Sequence, residues 1–598
     1  MVKRLLYPTD ETDPLPIDAY DCIVIDECHR GYNLDQEMTD AELRFRDEKD
    51  YISKYRRVIE HFDAVKIGLT ATPALHTTEI FGAPVYNYSY RQAVIDGFLS
   101  DHVPPYKLVT KLNEDGMKWD AGDDIQVYDT KTEQLQLFQT PDEVEVEVDK
   151  FNSQVITENF NRTVCGALAE HIDPGLPGKT LIFCVNDEHA DLVVGVMKAA
   201  LDEQYGPVHD DTVMKITGKA DKPSQLIRRY KNEELPKIAV TVDLLTTGID
   251  VPKITNIVFL RRVRSRILFD QMLGRGTRLC EDLYGPGEDK DGFRVFDAVG
   301  IYEALKPLSE MKPVVTRPNI TFSQLAKELD EISDPVFLQE AKSQLLAKLR
   351  RRRLSDTQQE QLQTACGLDR KELIEHVKAA DPETLGPWFA KHTAVADIVD
   401  TVYRKGRKLI ISVHEDQLRR VERGYGTADK PDDYLESFRK FITKNKDAIP
   451  ALVVITQRPR DLTRKQLREL KLALDNKGFT ETNLRTAWRE TTNQDVAATI
   501  IGYIRHVALD QPLISHSDRV SAAMDKIKAS RSWTEPQRKW LDRIGKQLEK
   551  EVIVDRGAID DGEFKAQGGG FDRLNKVFKG ELDAILREIA ESMWQTVA

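Results

Sequence analysis

Cys22-Ile23-Val24-Ile25-Asp26-Glu27-Cys28-His29 is the stretch whose reading decides the fold. Its first four residues are apolar and partly β-branched, which suits a short, buried-looking strand, and the polar tetrad Asp26 to His29 ends it. Two carboxylates at the carboxyl end of such a strand suit a magnesium-nucleotide site. The first holds the metal through water and the second aligns an attacking water. A solvated turn can contain the same pair, so the reading needs partners further along.

The chain downstream supplies an architecture. Gly31 to Asp50 reads as a charged loop, and Tyr55, Val58, Ile59 and Phe62 fall at helical spacing. Val65 to Leu69 is a second short strand, ending on Thr70-Ala71-Thr72-Pro73. Strand, helix and strand, with polar residues at both strand ends, indicate a parallel α/β sheet, where ligands sit at the carboxyl ends of strands. Both polar tips should share one edge.

A second unit is expected from about Pro104. Lys111 to Lys150 is acidic and lacks helical periodicity, as an insertion or connector would, and its alternating Glu143 to Val148 places valines on one face of a possible edge strand. Phe160 to Ile172 and Glu188 to Tyr205 then read as helices, and Thr180 to Val185, Lys237 to Val242 and Asn256 to Leu260 as buried strands. This alternation predicts a second parallel lobe. After Pro313 helical periodicity dominates. Leu338, Ala341, Leu345 and Leu349 form one apolar face; Trp540, Ile544, Leu548 and Val552 a second; Phe571, Leu574, Phe578, Leu582, Ile585, Ile589 and Met593 a third. Ala451 to Ile455 reads as a strand within this helical region, and Gly568-Gly569-Gly570 as a flexible hinge. Trp533 and Trp540 fit core packing, and the basic run Lys348 to Arg353 fits either phosphate contacts or a solvated helix end.

Composition bounds these readings. At 598 residues there is room for roughly three or four domains. Basic residues number 86 against 99 acidic, a net charge of −13, so any nucleic-acid contact must come from local basic clusters. Cys22, Cys28, Cys165, Cys184, Cys280 and Cys366 are scattered without a C-x-x-C pair and read as reduced core thiols. No apolar run approaches the length of a membrane span, so a soluble, cytoplasmic protein without membrane contact is expected.

The partners of the tetrad lie in the second unit. Gln271-Met272-Leu273-Gly274-Arg275-Gly276-Thr277-Arg278 places two arginines three apart, on one face if helical. A guanidinium is planar, forked and permanently charged, which matches a triphosphate. Thr246-Thr247-Gly248-Ile249-Asp250-Val251-Pro252 adds a glycine flanked by hydroxyls, where backbone can approach a ligand, and an aspartate that can accept from a ribose hydroxyl or from one of the arginines.

The order D-E-C-H, T-A-T, T-T-G-I-D-V-P, Q-x-x-G-R-x-x-R resembles superfamily 2 helicases and translocases, as their motifs II, III, V and VI. With Asp26 to Tyr32, Leu69 to Pro73, the long helical tail and Gly569 to Phe578, the chain looks like the restriction (R) subunit of a type I restriction-modification enzyme. The resemblance implies two RecA-like lobes binding ATP and Mg2+ between them, the first incomplete here, followed by a mainly α-helical region. Expected divisions are 1–103 for the rest of the first lobe, 104–312 for the second with the insertion near 111–150, and 313–598 for the helical part.

Carried over by position, Asp26 coordinates magnesium and Glu27 orients water, while His29, Thr70, Ala71, Thr72 and Gln271 couple hydrolysis to lobe movement. Arg275 and Arg278 reach the γ-phosphate, Gly248, Asp250 and Gly274 line the cleft, and Thr246 and Thr247 touch the nucleic-acid backbone. The implied activity is ATP-driven translocation of double-stranded DNA within an endonuclease that defends against foreign DNA. The helical tail docks on the methyltransferase (modification) subunit, and a specificity subunit reads the target. Another superfamily 2 repair or remodelling motor, or an inactive scaffold, is the competing reading.

The family's phosphate loop belongs upstream of motif II, as does its nuclease domain, and only 25 residues precede Asp26. Gly178-Lys179-Thr180 opens a strand instead of following one, and is rejected as that loop. A carboxyl-terminal fragment, scarcely active alone, is expected.

Overall fold

The computed structural model describes residues 16–26, 28, 61–70, 81–129, 134–139, 144–218, 222–242, 250–263, 266–304, 322–331, 335–351, 354, 356–400, 408–426, 428, 430–561, 564–566 and 570–595. The helix expected over 51–62 lies outside these except for its last two residues.

Strands β1 (Cys22–Ile25) and β2 (Val65–Gly68) pair in parallel, with Ile25 opposite Gly68. The pairing continues past the strands: Leu69 N–H donates to the Ile25 carbonyl and Cys28 N–H to the Leu69 carbonyl, both at 2.9 Å. The expected common edge is present. The expected burial is not, since Val24 is 59% exposed, Val65 64% and Ile67 42%. Parallel strands are ordinarily covered on both faces, and among the described residues these two form a two-stranded sheet.

The remaining strands are β3 (Tyr106–Thr110), β4 (Met117–Trp119), β5 (Asp124–Asp129), β6 (Gln134–Gln139), β7 (Val144–Val146), β8 (Val155–Ile156), β9 (Lys179–Phe183), β10 (Val213–Lys215), β11 (Ile238–Thr241), β12 (Ile254–Phe259), β13 (Arg294–Asp297), β14 (Lys408–Ile411) and β15 (Leu418–Arg423). Seven of them form one sheet in the order β10-β11-β9-β12-β13-β3-β15. All its pairings are parallel except the last, where β15 runs antiparallel to β3. Every residue of β9, β11 and β12 is buried, as parallel strands covered on both faces are. Helices Glu158–His171 and Asp187–Tyr205 supply Phe160, Val164, Leu168, Val193, Met197 and Leu201 to the same core.

Two strands of this part come from the stretch read as helical. β15 closes the large sheet, and β14 pairs antiparallel with β5 and parallel with β8. The acidic stretch is therefore tied down: β5 pairs with β6, and β4 with β7, where Val146 of the alternating run is buried.

Among its described residues the helical region holds two separate cores. One joins Phe322, Leu338, Ala341, Leu345 and Leu349 to Leu385 and Val399; the other runs from Tyr425 to Trp594. Ala451 to Ile455 is a helix, Pro450–Gln457, and not the expected strand. Proline at its first turn suits a helix start, and Ala451, Leu452 and Ile455 are the buried residues, a helical spacing that the all-apolar run hid. The face from Phe571 to Met593 is buried throughout but belongs to two helices, Phe571–Val577 and Leu582–Trp594. The break falls where Lys579 and Gly580 both take positive φ. Gly570, expected in a hinge, is a pinned helix start, with Phe571 N–H donating to Asp560 Oδ1 at 2.7 Å; Gly568 and Gly569 lie outside the described residues. Trp533 is buried against Phe578, as core packing requires.

Of the cysteines, Cys28, Cys165 and Cys184 are buried and none is in a disulfide, but Cys22 is exposed because β1 is. Among the described residues no helix is long and apolar enough to cross a membrane.

Candidate nucleotide-facing site

The proposed site residues fall in two groups on two sheets. Asp26 and Thr70 follow β1 and β2 and share the carboxyl edge of the small sheet. Asp250, Gln271, Gly274, Arg275 and Arg278 lie on the two crossovers that join β11 to β12 and β12 to β13. Glu27, His29, Ala71, Thr72, Thr246, Thr247 and Gly248 lie outside the described residues.

The arginines are not on one helical face, as their spacing suggested. Helix Arg266–Leu273 stops before them. Gly274 N–H still donates to the Asp270 carbonyl at 2.9 Å and Thr277 Oγ1 donates to the Gly274 carbonyl at 3.0 Å, so the chain turns out of the helix here. Gly276 makes the turn possible, because a Cβ at that position would overlap the Phe293 ring. Arg275 folds back, with Nε 3.2 Å from the Gln271 carbonyl. Arg278 points elsewhere: its Nε donates to Asp250 Oδ1 at 3.1 Å, and Lys231 Nζ lies 3.9 Å from the other carboxylate oxygen. Asp250 and Arg278 are half exposed, so the pair is open to a ligand and is worth little as a structural tie.

What fixes this loop was not visible in the sequence. Lys290 is buried, and its ammonium donates to the carbonyls of Gly276 at 2.6 Å, Arg278 at 2.9 Å and Pro252 at 3.2 Å. One side chain thus stitches the end of the second crossover to that of the first. Burial pulls its pKa down to about 8. On the other side Ser100 N–H donates to the Thr277 carbonyl at 2.8 Å and Ser100 Oγ to that of Gly276 at 3.4 Å. Lys290 sits in the charged run Glu288-Asp289-Lys290-Asp291, which reads as a solvated loop, so no local signal distinguishes it.

Lys179 is similarly occupied. Its Nζ donates to the carbonyls of Glu233, Glu234 and Pro236 at 2.8, 3.2 and 2.8 Å, at the start of β9. Its ammonium is thus spent on backbone carbonyls. Among the described residues no cluster of three or more His, Cys, Asp or Glu could hold a metal. Asp26 is exposed at the carboxyl end of β1, and a carboxylate so placed is chemically able to hold a magnesium ion that takes its other ligands from water and phosphate.

Residues 164–280, which contain β9 to β12 and the arginine loop, match the helicase conserved C-terminal domain, and residues 2–75 match the family described as type III restriction enzyme, res subunit. Fold and sequence together define a superfamily 2 helicase-like α/β part followed by a helical region. Residues 432–594 match the family described as EcoEI R protein C-terminal. The type I restriction enzyme EcoKI endonuclease subunit of Escherichia coli (strain K12) is 40% identical over 629 aligned residues, covering 100% of this chain and 53% of that protein. The EcoAI endonuclease subunit of Escherichia coli is 30% identical over 273 residues, covering 44% of this chain and 30% of that protein. A fragment structure assigned to an HsdR subunit of a type I restriction enzyme from Vibrio vulnificus YJ016 is 28% identical, covers 48% of this chain and 44% of that one, and has a TM-score of 0.31. The chain is thus similar along its whole length to type I restriction enzyme endonuclease (R) subunits. It spans about half the length of the EcoKI subunit.

Proposed function

We propose that this chain is part of an ATP-driven double-stranded DNA translocase within a type I restriction endonuclease. The observation that carries the reading is the Asp250–Arg278 contact at 3.1 Å, which brings together the two second-lobe segments whose order suggested a motor. In this reading the divisions are 1–103 and 104–312 for the two lobes and 313–598 for the helical part that docks on the methyltransferase subunit, while a specificity subunit selects the DNA site.

Asp26 holds Mg2+ beside ATP, and the ion supplies neutralisation of phosphate charge when bound. Glu27 orients the attacking water. Arg278 leaves Asp250 for the γ-phosphate as the lobes close, an exchange that a half-exposed pair permits at small cost. Arg275 contributes from the same turn, and Gly248 and Gly274 let backbone approach the nucleotide. His29, Thr70, Ala71, Thr72 and Gln271 transmit the change to the DNA track, where Thr246 and Thr247 contact phosphates.

The test is DNA-dependent ATPase of the assembled enzyme carrying Asp26→Ala, Glu27→Gln or Arg278→Ala. Loss of about 10³-fold or more in turnover with folding intact is expected; wild-type turnover would remove the assignment. Efficient unwinding of a short duplex would instead favour a repair-type helicase over a duplex translocase.

A further inference from the structure

We propose that Arg91 is a positioning residue through which the carboxyl-terminal helical unit sets the loop that carries Arg278. The inference rests on the reading of Arg278 as a nucleotide-facing residue.

The contacts form one continuous path. Arg91 stands on helix Tyr90–Ile95, whose start is fixed by a capping box between Ser89 and Gln92. Its Nε and Nη2 both lie 2.8 Å from Asp475 Oδ2, and its Nη1 donates to Asp101 Oδ1 at 2.8 Å. Asp475 is the last residue of helix Arg464–Asp475, which is anchored in the tail core by Leu467, Leu470 and Leu474. Asp101 is next to Ser100, the residue that binds the Thr277 and Gly276 carbonyls. Asp101 also grips the far end of the same loop, since its own carbonyl accepts from Phe293 N–H at 3.1 Å and leaves no room for a Cβ on Gly292. One guanidinium therefore ties the tail to Asp101, and through Asp101 and its chain neighbour Ser100 to both ends of the arginine loop.

Burial makes the tie stiff. The side chains of Asp101 and Asp475 are only 6% and 7% exposed, so little water reaches either carboxylate to replace Arg91, although Asp101 Oδ1 also accepts from the Tyr90 hydroxyl at 3.0 Å and from His102 N–H at 2.9 Å. A second ion pair joins the same two elements without this consequence. Arg468 donates from Nε and Nη2 to Asp96 at 2.8 and 2.6 Å, on the surface and away from the loop. It can hold the elements together but has no line to Arg278, and so separates docking from positioning.

DNA-stimulated ATPase of the assembled enzyme tests the proposal in Arg91→Met, Asp475→Asn, their double variant and Arg468→Ala. Arg91→Met and Asp475→Asn are each expected to lower kcat about tenfold with KM for ATP held within about twofold. The double variant should fall no further than the worse single one, since both remove the same link, and Arg468→Ala should stay within about twofold of wild type. If Arg91→Met fails to fold, Asp475→Asn, which keeps an acceptor in place, carries the test. Wild-type kcat in both loop-side variants overturns the proposal, as does an equal loss in Arg468→Ala. Arg278→Ala separates this from the reading beneath it. Loss of turnover there with normal Arg91→Met and Asp475→Asn defeats the positioning role alone; retained turnover there defeats the nucleotide-facing reading and this inference with it.

Discussion

Lys290 shows how much one side chain can decide. Its buried ammonium donates to three carbonyls, and a buried polar group left without its partner costs about 1–3 kcal/mol. Lys290→Met removes the charge with the stem kept, and is expected to lower unfolding free energy by about 2 kcal/mol in chemical denaturation. His189 makes the matching case for pH. Its Nδ1 lies 3.2 Å from Val185 N–H and its Nε2 2.9 Å from Asn161 Oδ1, while Asn161 donates its own amide to Asn152 and Thr157. The ring is therefore neutral, with the proton on Nε2, and burial holds its pKa down to about 3. Unfolding releases it to about 6.5. The unfolded chain then binds more protons between these values, so the stability due to His189 is complete above about pH 6.5 and is lost as pH falls toward 3. At pH 5 the loss is about 2 kcal/mol. Denaturation at pH 7.5 and 5.0 should show that drop in the wild type and a smaller one in His189→Gln.

At the scale of elements, glycines divide by backbone conformation and surroundings. Gly195 lies exposed inside helix Asp187–Tyr205 with nothing near its would-be Cβ. Gly580 ends the turn between the last two helices at a φ of 88°. Ala at a helical position reduces the freedom of the unfolded chain, and at positive φ it adds strain. Gly195→Ala should raise stability by about 0.5–1 kcal/mol and Gly580→Ala should lower it by about 1 kcal/mol or more, read from the same denaturation curves. The strands and long helices of the second lobe were legible because a buried parallel strand and an amphipathic helix leave different apolar periods. Pro450–Gln457 was not, because a short all-apolar run has no period to read. The break before Leu582 was also hidden, because the apolar spacing carries on across Lys579 and Gly580 while the backbone does not.

For the molecule as a whole, the core from Tyr425 to Trp594 is separate from that of Phe322 to Val399 and from that of the large sheet. Residues 425–595 expressed alone should therefore unfold in one cooperative transition by circular dichroism and calorimetry, whereas a broad, non-coincident melt would show that the unit depends on the α/β part. The sequence by itself determined the two parallel sheets, the helical region and the segments Asp26 to His29, Thr70 to Thr72, Thr246 to Pro252 and Gln271 to Arg278 as places of interest. Each of those is a local pattern of apolar period or residue type. Tertiary structure alone decided that β14 and β15 return from the helical region to the sheets. It also decided that Gly276 turns the arginines off their helix against Phe293, that Lys290 and Ser100 hold the resulting loop, and that Arg91 bonds Asp101 beside it. These depend on which buried carbonyls and carboxylates lack water, and that is a property of neighbours distant in the chain, such as Arg91 and Asp475, which no stretch of sequence contains.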